Sequence, residues 1–391
     1  MNILIISQVF PPKRGGVQTA AYNTAKFLAK FGHKVVVVTS KWGEEQRKSH
    51  KMDGFFVYRF KQFNPPELSG VTQISSLRFM PKALYKLPKI IRKHKIQLIH
   101  VEGRMFPISW ISTLLNKIIF KRPMFVSVQG RLEVGITGTI ENIFDRIITK
   151  HIYEKNLKKI ICVSESLKER LIQLKIKENQ LIMIPNGVDT SEFVRRPQST
   201  FLDKYLSGKK DYKRVVFVGR LVVQKGVEYL IRAIPKVISK YKKVHFFILG
   251  NGTLEVMLKN LVKELKIQES VSFLDFIPLE KMPDFYSSTD IFCLPSLHEG
   301  FPLSIAESLS IGLIIIASAI EGIPEAIKEG RNGFLVKPGD VQDLSAKIIK
   351  ALNLNDEKIK EIRDNNIKLS KDKYSWEKIV REIIEVYKKS S

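Results

Sequence analysis

What most constrains this chain is a recurring unit: a short run of β-branched residues, then a turn, then an amphipathic stretch at helical spacing. Ile3-Leu4-Ile5-Ile6 runs into the loop Pro11-Pro12-Lys13-Arg14-Gly15-Gly16, a helical stretch to Phe31, and the run Val35 to Thr39. That order is the start of a βαβ unit. Further strands are predicted at Gln97 to Val101, Phe125 to Val128, Ile160 to Val163 and Leu181 to Ile184. Strands that alternate with helices build an open, mostly parallel sheet covered on both faces.

The pattern fades between Thr190 and Arg214 and then restarts. Val215 to Val218 leads to a helix from Val227 with Leu230, Ile231, Ile234 and Ile238 on one face. Strands follow at Val244 to Leu249, Val271 to Leu274, Ile291 to Leu294 and Leu313 to Ala317. The chain of 391 residues therefore reads as two doubly wound domains, 1–190 and 215–372, with a boundary region at 191–214. Trp376, Ile379, Ile383, Ile384 and Tyr387 recur near helical spacing and predict a terminal amphipathic helix within 373–391. Ligands of such sheets bind beyond the carboxyl ends of the strands, so two facing domains would place a cleft between them.

Composition narrows the classes of function. Lys and Arg number 65 against 39 Asp and Glu, a formal charge of +26 that calls for anionic partners. No apolar stretch approaches the roughly 20 residues that span a bilayer, and Met1 runs straight into a strand without a signal-peptide pattern. A cytoplasmic location is expected. The two cysteines, Cys162 and Cys293, sit in apolar β-like runs and read as buried thiols.

The residues that carry chemistry cluster after strands. His298-Glu299-Gly300-Phe301-Pro302-Leu303-Ser304-Ile305-Ala306-Glu307 follows a buried strand, with one carboxylate in the turn and one about a helical turn later. A helix starting near Leu303 would turn its unpaired N–H groups toward a phosphate. By themselves the two acids read first as a capping acid and a solvated helix acid. Gly219-Arg220 ends a strand, and Lys225-Gly226 stands before a helix. These cations could hold a diphosphate or be two of many on the surface. Leu249-Gly250-Asn251-Gly252 makes a second glycine turn.

In this order the motifs resemble those of a family 4 glycosyltransferase with the GT-B fold. Gly15-Gly16, Ile184-Pro185-Asn186-Gly187-Val188-Asp189, Gly219-Arg220, Lys225-Gly226, the Glu299 and Glu307 pair, Gly322-Ile323-Pro324-Glu325 and Asn332-Gly333-Phe334-Leu335-Val336 span nearly the whole chain. The resemblance implies two Rossmann-like domains facing across a cleft, the first for the acceptor and the second for the nucleotide sugar. The terminal helix would pack back on the first.

The resemblance further implies that Arg220 and Lys225 hold the donor diphosphate and neutralise the leaving group. Glu299 and the backbone of Gly300, Phe301, Pro302 and Leu303 would bind sugar hydroxyls, and Glu307 the ribose. Gly15 and Gly16 would approach the phosphates, with Asn186 and Gln129 also on the substrate. It implies retention of configuration, a UDP- or GDP-linked hexose as donor, and a saccharide, lipid or lipid-linked acceptor. Negative charge grows on the departing diphosphate, so fixed cations there favour the transition state. No Asp-x-Asp pair occurs and no cluster has metal-ligand spacing, so no metal and no cofactor are expected.

Two departures stand out. Many relatives carry a histidine where this chain reads Val126-Ser127-Val128-Gln129-Gly130, and Gln129 cannot take a proton. Glu321-Gly322 replaces a Gly-Gly. A catalytically silent sugar-nucleotide binder, an epimerase or a phosphorylase on the same architecture therefore stay open. A nucleic-acid-binding protein fits the charge, but no recognised nucleic-acid motif accompanies it. Finally, Met80, Leu84, Leu87 and Ile91 recur at helical spacing among lysines and arginines between Arg78 and Lys95. Such a helix either covers the sheet or lies on an anionic membrane, with Pro88 expected to kink it. The extent of the basic charge favours peripheral binding to the inner face of a membrane.

Overall fold

The computed structural model describes all residues except 13–14, 43–47, 64–78, 131–142, 207, 209–210 and 391. Lys13, Arg14 and Arg78 thus lie outside the described residues. The chain forms two compact units, 1–185 with 376–391, and 186–375.

The first unit is built on an eight-stranded sheet: β1 (Asn2–Ser7), β2 (Lys34–Lys41), β3 (Ser49–Met52), β4 (Phe55–Lys61), β5 (Leu98–Glu102), β6 (Met124–Val128), β7 (Lys159–Cys162) and β8 (Leu181–Met183). Its spatial order is β3-β4-β2-β1-β5-β6-β7-β8. Every pairing is parallel except β3 with β4. The central strand β1 carries a continuous apolar run because both faces are covered, and Ile3 to Ile6 are fully buried. The chain leaves β1 for β2 on one side and returns to β5 on the other, so the switch of direction lies between β1 and β5.

The β3–β4 hairpin was not foreseen from the sequence. It sits at the sheet edge, where one face meets solvent, so β4 alternates buried and half-exposed residues instead of forming an apolar run. The first helices are α1 (Gly16–Lys30), α2 (Pro81–Lys93) and α3 (Pro107–Leu115). Helix α2 runs continuously through Pro88. Pro88 and Leu84 are half-exposed, so the Leu84 carbonyl that loses its N–H partner can be solvated. The apolar side of α2 is turned inward, with Ala83, Leu87, Ile90 and Ile91 buried. The terminal helix Trp376–Ser390 belongs to this unit and packs on α1, as the resemblance implied.

The second unit holds six parallel strands: β9 (Lys213–Val218), β10 (Val244–Leu249), β11 (Val271–Leu274), β12 (Ile291–Leu294), β13 (Ile314–Ser318) and β14 (Gly333–Val336). Their order is β11-β10-β9-β12-β13-β14, which places the switch between β9 and β12. The segment after Pro185 lies on this unit: Ser310 Oγ donates to the Phe193 carbonyl (2.7 Å), and Arg196 pairs with Asp284 (2.6 Å). Both cysteines are buried free thiols, and burial pushes that of Cys162 up to about 12.

Candidate active site

In the second unit, three loops meet at the carboxyl edge between β9 and β12, held backbone to backbone. Leu221 N–H donates to the Asn251 carbonyl (2.8 Å) and Leu254 N–H to the Leu221 carbonyl (3.0 Å). A Cβ on Gly250 would stand 1.9 Å from the Gly219 oxygen, and one on Gly252 2.3 Å from that of Leu221. Only glycine permits this approach. Gly226, at φ +61, closes the other side, since a Cβ there would meet the Pro295 oxygen at 2.0 Å. Leu297 N–H donates to the Gln224 carbonyl (2.8 Å), and Gln224 Nε2 to that of His298 (3.0 Å).

This lacing brings Lys225 onto Glu299. The two side chains form an ion pair, 16% and 8% exposed, and Ser296 Oγ donates to the same carboxylate oxygen (2.9 Å). Glu299 N–H in turn donates to the Glu321 carboxylate (2.7 Å). Arg220 is exposed at the end of β9 and donates to Gln224 Oε1 (3.3 Å). Helix Leu303–Ile311 starts directly after Pro302, with no side chain capping its first turn and no acid within it. Two cations on the loop after β9 and a helix start after β12 therefore lie at one switch point, which suits an anionic ligand.

Glu307, one turn into that helix, accepts a hydrogen bond on Oε2 from the Tyr286 hydroxyl (2.8 Å). Burial, and then the charge of Glu307, hold the Tyr286 phenol well above its ordinary pKa, so it stays a donor. Asn186, expected on the substrate, has a backbone partner: its Nδ2 donates to the Phe301 carbonyl (3.3 Å), while the Phe301 ring stacks on Tyr374. Asn186 thus fixes the turn that carries Gly300 to Leu303.

In the first unit, Gly15 precedes α1 and Gly16 begins it, with no side-chain cap. Across the switch, Gln129 Nε2 donates to Glu102 Oε2 (2.9 Å). His100 Nε2 lies 2.8 Å from Ser127 Oγ and 3.3 Å from Glu102 Oε1, and its Nδ1 meets the Tyr387 hydroxyl. Burial, and then the Glu102 charge, raise the pKa of Tyr387, so the phenol keeps its proton. Beside them Arg104 binds Asp145 (2.9 Å), which also pairs with Arg170 (3.1 Å). Arg220, Lys225, Glu299 and Glu307 thus share one edge of the second unit, and Gly15, Gly16 and Gln129 one edge of the first. Sequence reasoning missed Glu102, Tyr286 and Ser296. The signal for Glu102 was a carboxylate, two residues after His100, closing a run otherwise made of Leu98, Ile99 and Val101.

Two parallel-sheet units, one carrying Arg220 and Lys225 at its switch point, define a chain of the doubly wound α/β class. Residues 14–192 match the family described as Glycosyltransferase Family 4, and residues 199–369 that described as Glycosyl transferases group 1. The chain belongs to the family 4 glycosyltransferases, enzymes of the GT-B fold. It is 28% identical to an uncharacterised glycosyltransferase of Methanocaldococcus jannaschii, over 99% of this chain and 98% of that one. It is 25% identical to the GPI3 subunit of phosphatidylinositol N-acetylglucosaminyltransferase of Saccharomyces cerevisiae, over 99% and 82%. In structure it is similar to sucrose-phosphate synthase of Thermosynechococcus elongatus (TM-score 0.82, 18% identity, covering 100% and 99%). It is also similar to Anabaena HepE in complex with UDP and glucose (TM-score 0.80, 19% identity, 100% of both chains).

Proposed function

We infer that this glycosyltransferase moves a hexose from a UDP- or GDP-linked donor to a lipid or lipid-linked saccharide, with retention of configuration and without a metal. The observation that carries this reading is the Lys225–Glu299 pair at the β9–β12 switch, beside Arg220 and the start of helix Leu303–Ile311. A diphosphate at this turn would meet Lys225, Arg220 and the helix N–H groups. Glu299 would accept from sugar hydroxyls and Glu307 from the ribose. As the bond from C1 to the diphosphate breaks, Lys225 and Arg220 neutralise the growing charge, which is the task a divalent ion performs elsewhere.

Gln129 cannot accept a proton, so the acceptor hydroxyl passes its proton to the departing phosphate oxygen while its own oxygen bonds C1 from the same face. The relatives named for phosphatidylinositol and N-acetylglucosamine support a lipid acceptor, and the UDP-bound neighbour supports a uridine donor. No helix among the described residues is long and apolar enough to cross a membrane, and we place the enzyme on the cytoplasmic face as a peripheral protein. The test is hydrolysis of a panel of UDP- and GDP-sugars by the purified protein. Release of nucleoside diphosphate from at least one, strongly reduced in Lys225→Ala, is expected; no turnover and no binding across the panel would overturn the reading.

A further inference from the structure

The helices of the first unit fall on two faces. The crossover from β1 to β2 runs one way across the sheet, whereas those from β4 to β5, β5 to β6 and β6 to β7 run the other. Parallel crossovers are right-handed, so opposite directions put their helices on opposite faces. The terminal helix joins α1 on one face. The other is covered by α2, by α3 with its π-helical extension Asn116–Phe120, and by the helical segment Asp145–Tyr153. There α2 touches the extension and α3 touches the last segment.

The outer side of this second layer exposes large apolar side chains: Tyr85 at 78%, Ile118 at 72%, and Ile119 and Ile147 at 55% each. Lys82, Lys86, Lys117, Lys121 and Arg146 stand exposed among them. No acidic residue interrupts the sequence between Glu67 and Glu102, nor between Glu102 and Glu133. Asp145 is buried against Arg104 and Arg170 and so adds no surface acid. The inward apolar side of α2 is spent on the core, so any contact with lipid is made by the residues that point outward.

We propose that this helix layer is a membrane-docking surface that takes the phosphates of an anionic lipid leaflet on its cations and seats Ile118, Ile119, Ile147 and Tyr85 among the headgroups. A lipid surface satisfies both halves of the pattern, because phosphates attract the cations while exposed isoleucines gain by leaving water. A nucleic-acid backbone would use the cations and leave the isoleucines in water. The proposal rests on the reading of a lipid-linked acceptor and supplies the surface that would bring the enzyme to it.

Co-sedimentation with phosphatidylcholine vesicles, with and without phosphatidylglycerol, tests it at low and high salt. Binding only to the anionic vesicles at low salt, weakened by salt, is expected. The Ile118→Ser/Ile119→Ser double variant should lose roughly tenfold in partitioning. Lys117→Glu/Lys121→Glu should abolish it, and Val256→Ser, 73% exposed in the second unit, should change nothing. Unchanged melting temperatures establish that the variants fold. Absence of vesicle binding, isoleucine variants that bind like the unmodified chain, oligonucleotide binding lost in the same variants, or a dimer by light scattering that they dissolve would each overturn it. Vesicle binding without transfer to any lipid acceptor would instead break the acceptor reading and leave the surface standing.

Discussion

The two units use one sheet plan and treat the carboxylate at its switch point in opposite ways. In the second unit Glu299 faces a lysine on a glycine-laced turn, next to a helix start and an exposed arginine. In the first, Glu102 is 1% exposed and is contacted by the neutral Gln129 amide and the His100 ring, itself backed by Tyr387. A carboxylate beside cations can give up its partner to an incoming phosphate. One sealed among buried hydrogen-bond donors keeps its geometry and orients its neighbours. The same architecture thus yields a cationic edge and a sealed, hydrogen-bonding edge.

The sharpest way to break that comparison is to remove the second unit's cations. Lys225→Ala should lower turnover by about 10²- to 10³-fold, and Arg220→Ala by somewhat less because its side chain is exposed. Steady-state kinetics on any hydrolysed nucleotide sugar would measure it, and near-normal rates in both would end the assignment.

Next in size is a stability contrast. Burial opposes ionisation of Asp145, but the charge and hydrogen bonds of Arg104 outweigh it and leave the carboxyl below its ordinary pKa. A depressed folded-state pKa stabilises above the unfolded value of about 3.9 and is lost as pH falls below it. Melting of the first unit should therefore drop more steeply as pH falls below about 4 than in Asp145→Asn, which should itself cost roughly 3–5 kcal/mol by leaving Arg104 and Arg170 without their acid. Parallel acid profiles would show that Asp145 does not stabilise in this way.

A smaller effect is expected at Glu307. Tyr286→Phe removes the donor that holds Oε2, so UDP affinity should fall about tenfold by calorimetry, with 2′-deoxy-UDP affected less. Equal losses for both nucleotides would place Glu307 away from that hydroxyl. The least change should come from chelation, since turnover that rests on Lys225 and Arg220 survives EDTA. Activity lost with EDTA and restored by Mg²⁺ would instead require a divalent ion at the diphosphate.

Interior strands were legible where a parallel strand buried on both faces is an unbroken apolar run, as in Ile291–Leu294. The strand Ser49–Met52 was not, being polar and at an edge, nor was β14, which begins with a glycine and has four residues. Motif spacing located Lys225 and Glu299 but could not say that they touch, across 74 residues of chain. Tyr286 and Glu102 stayed hidden because their roles arise from partners 21 and 27 residues away. For α2 the apolar stripe was visible, but a stripe alone does not say whether protein or lipid covers it.

The placement of helix Trp376–Ser390 in the first unit has a consequence for biosynthesis. The second unit, 186–375, is contiguous and can close its core as it leaves the ribosome, whereas the first must wait for residues made after the whole of its neighbour. Until then the site that Tyr387 fills beside His100 and Phe125 stands open, and apolar surface on α1 is uncovered. The half of the enzyme made first is therefore the half finished last, and a nascent chain stalled before residue 376 should expose its unfinished core to chaperones and proteases.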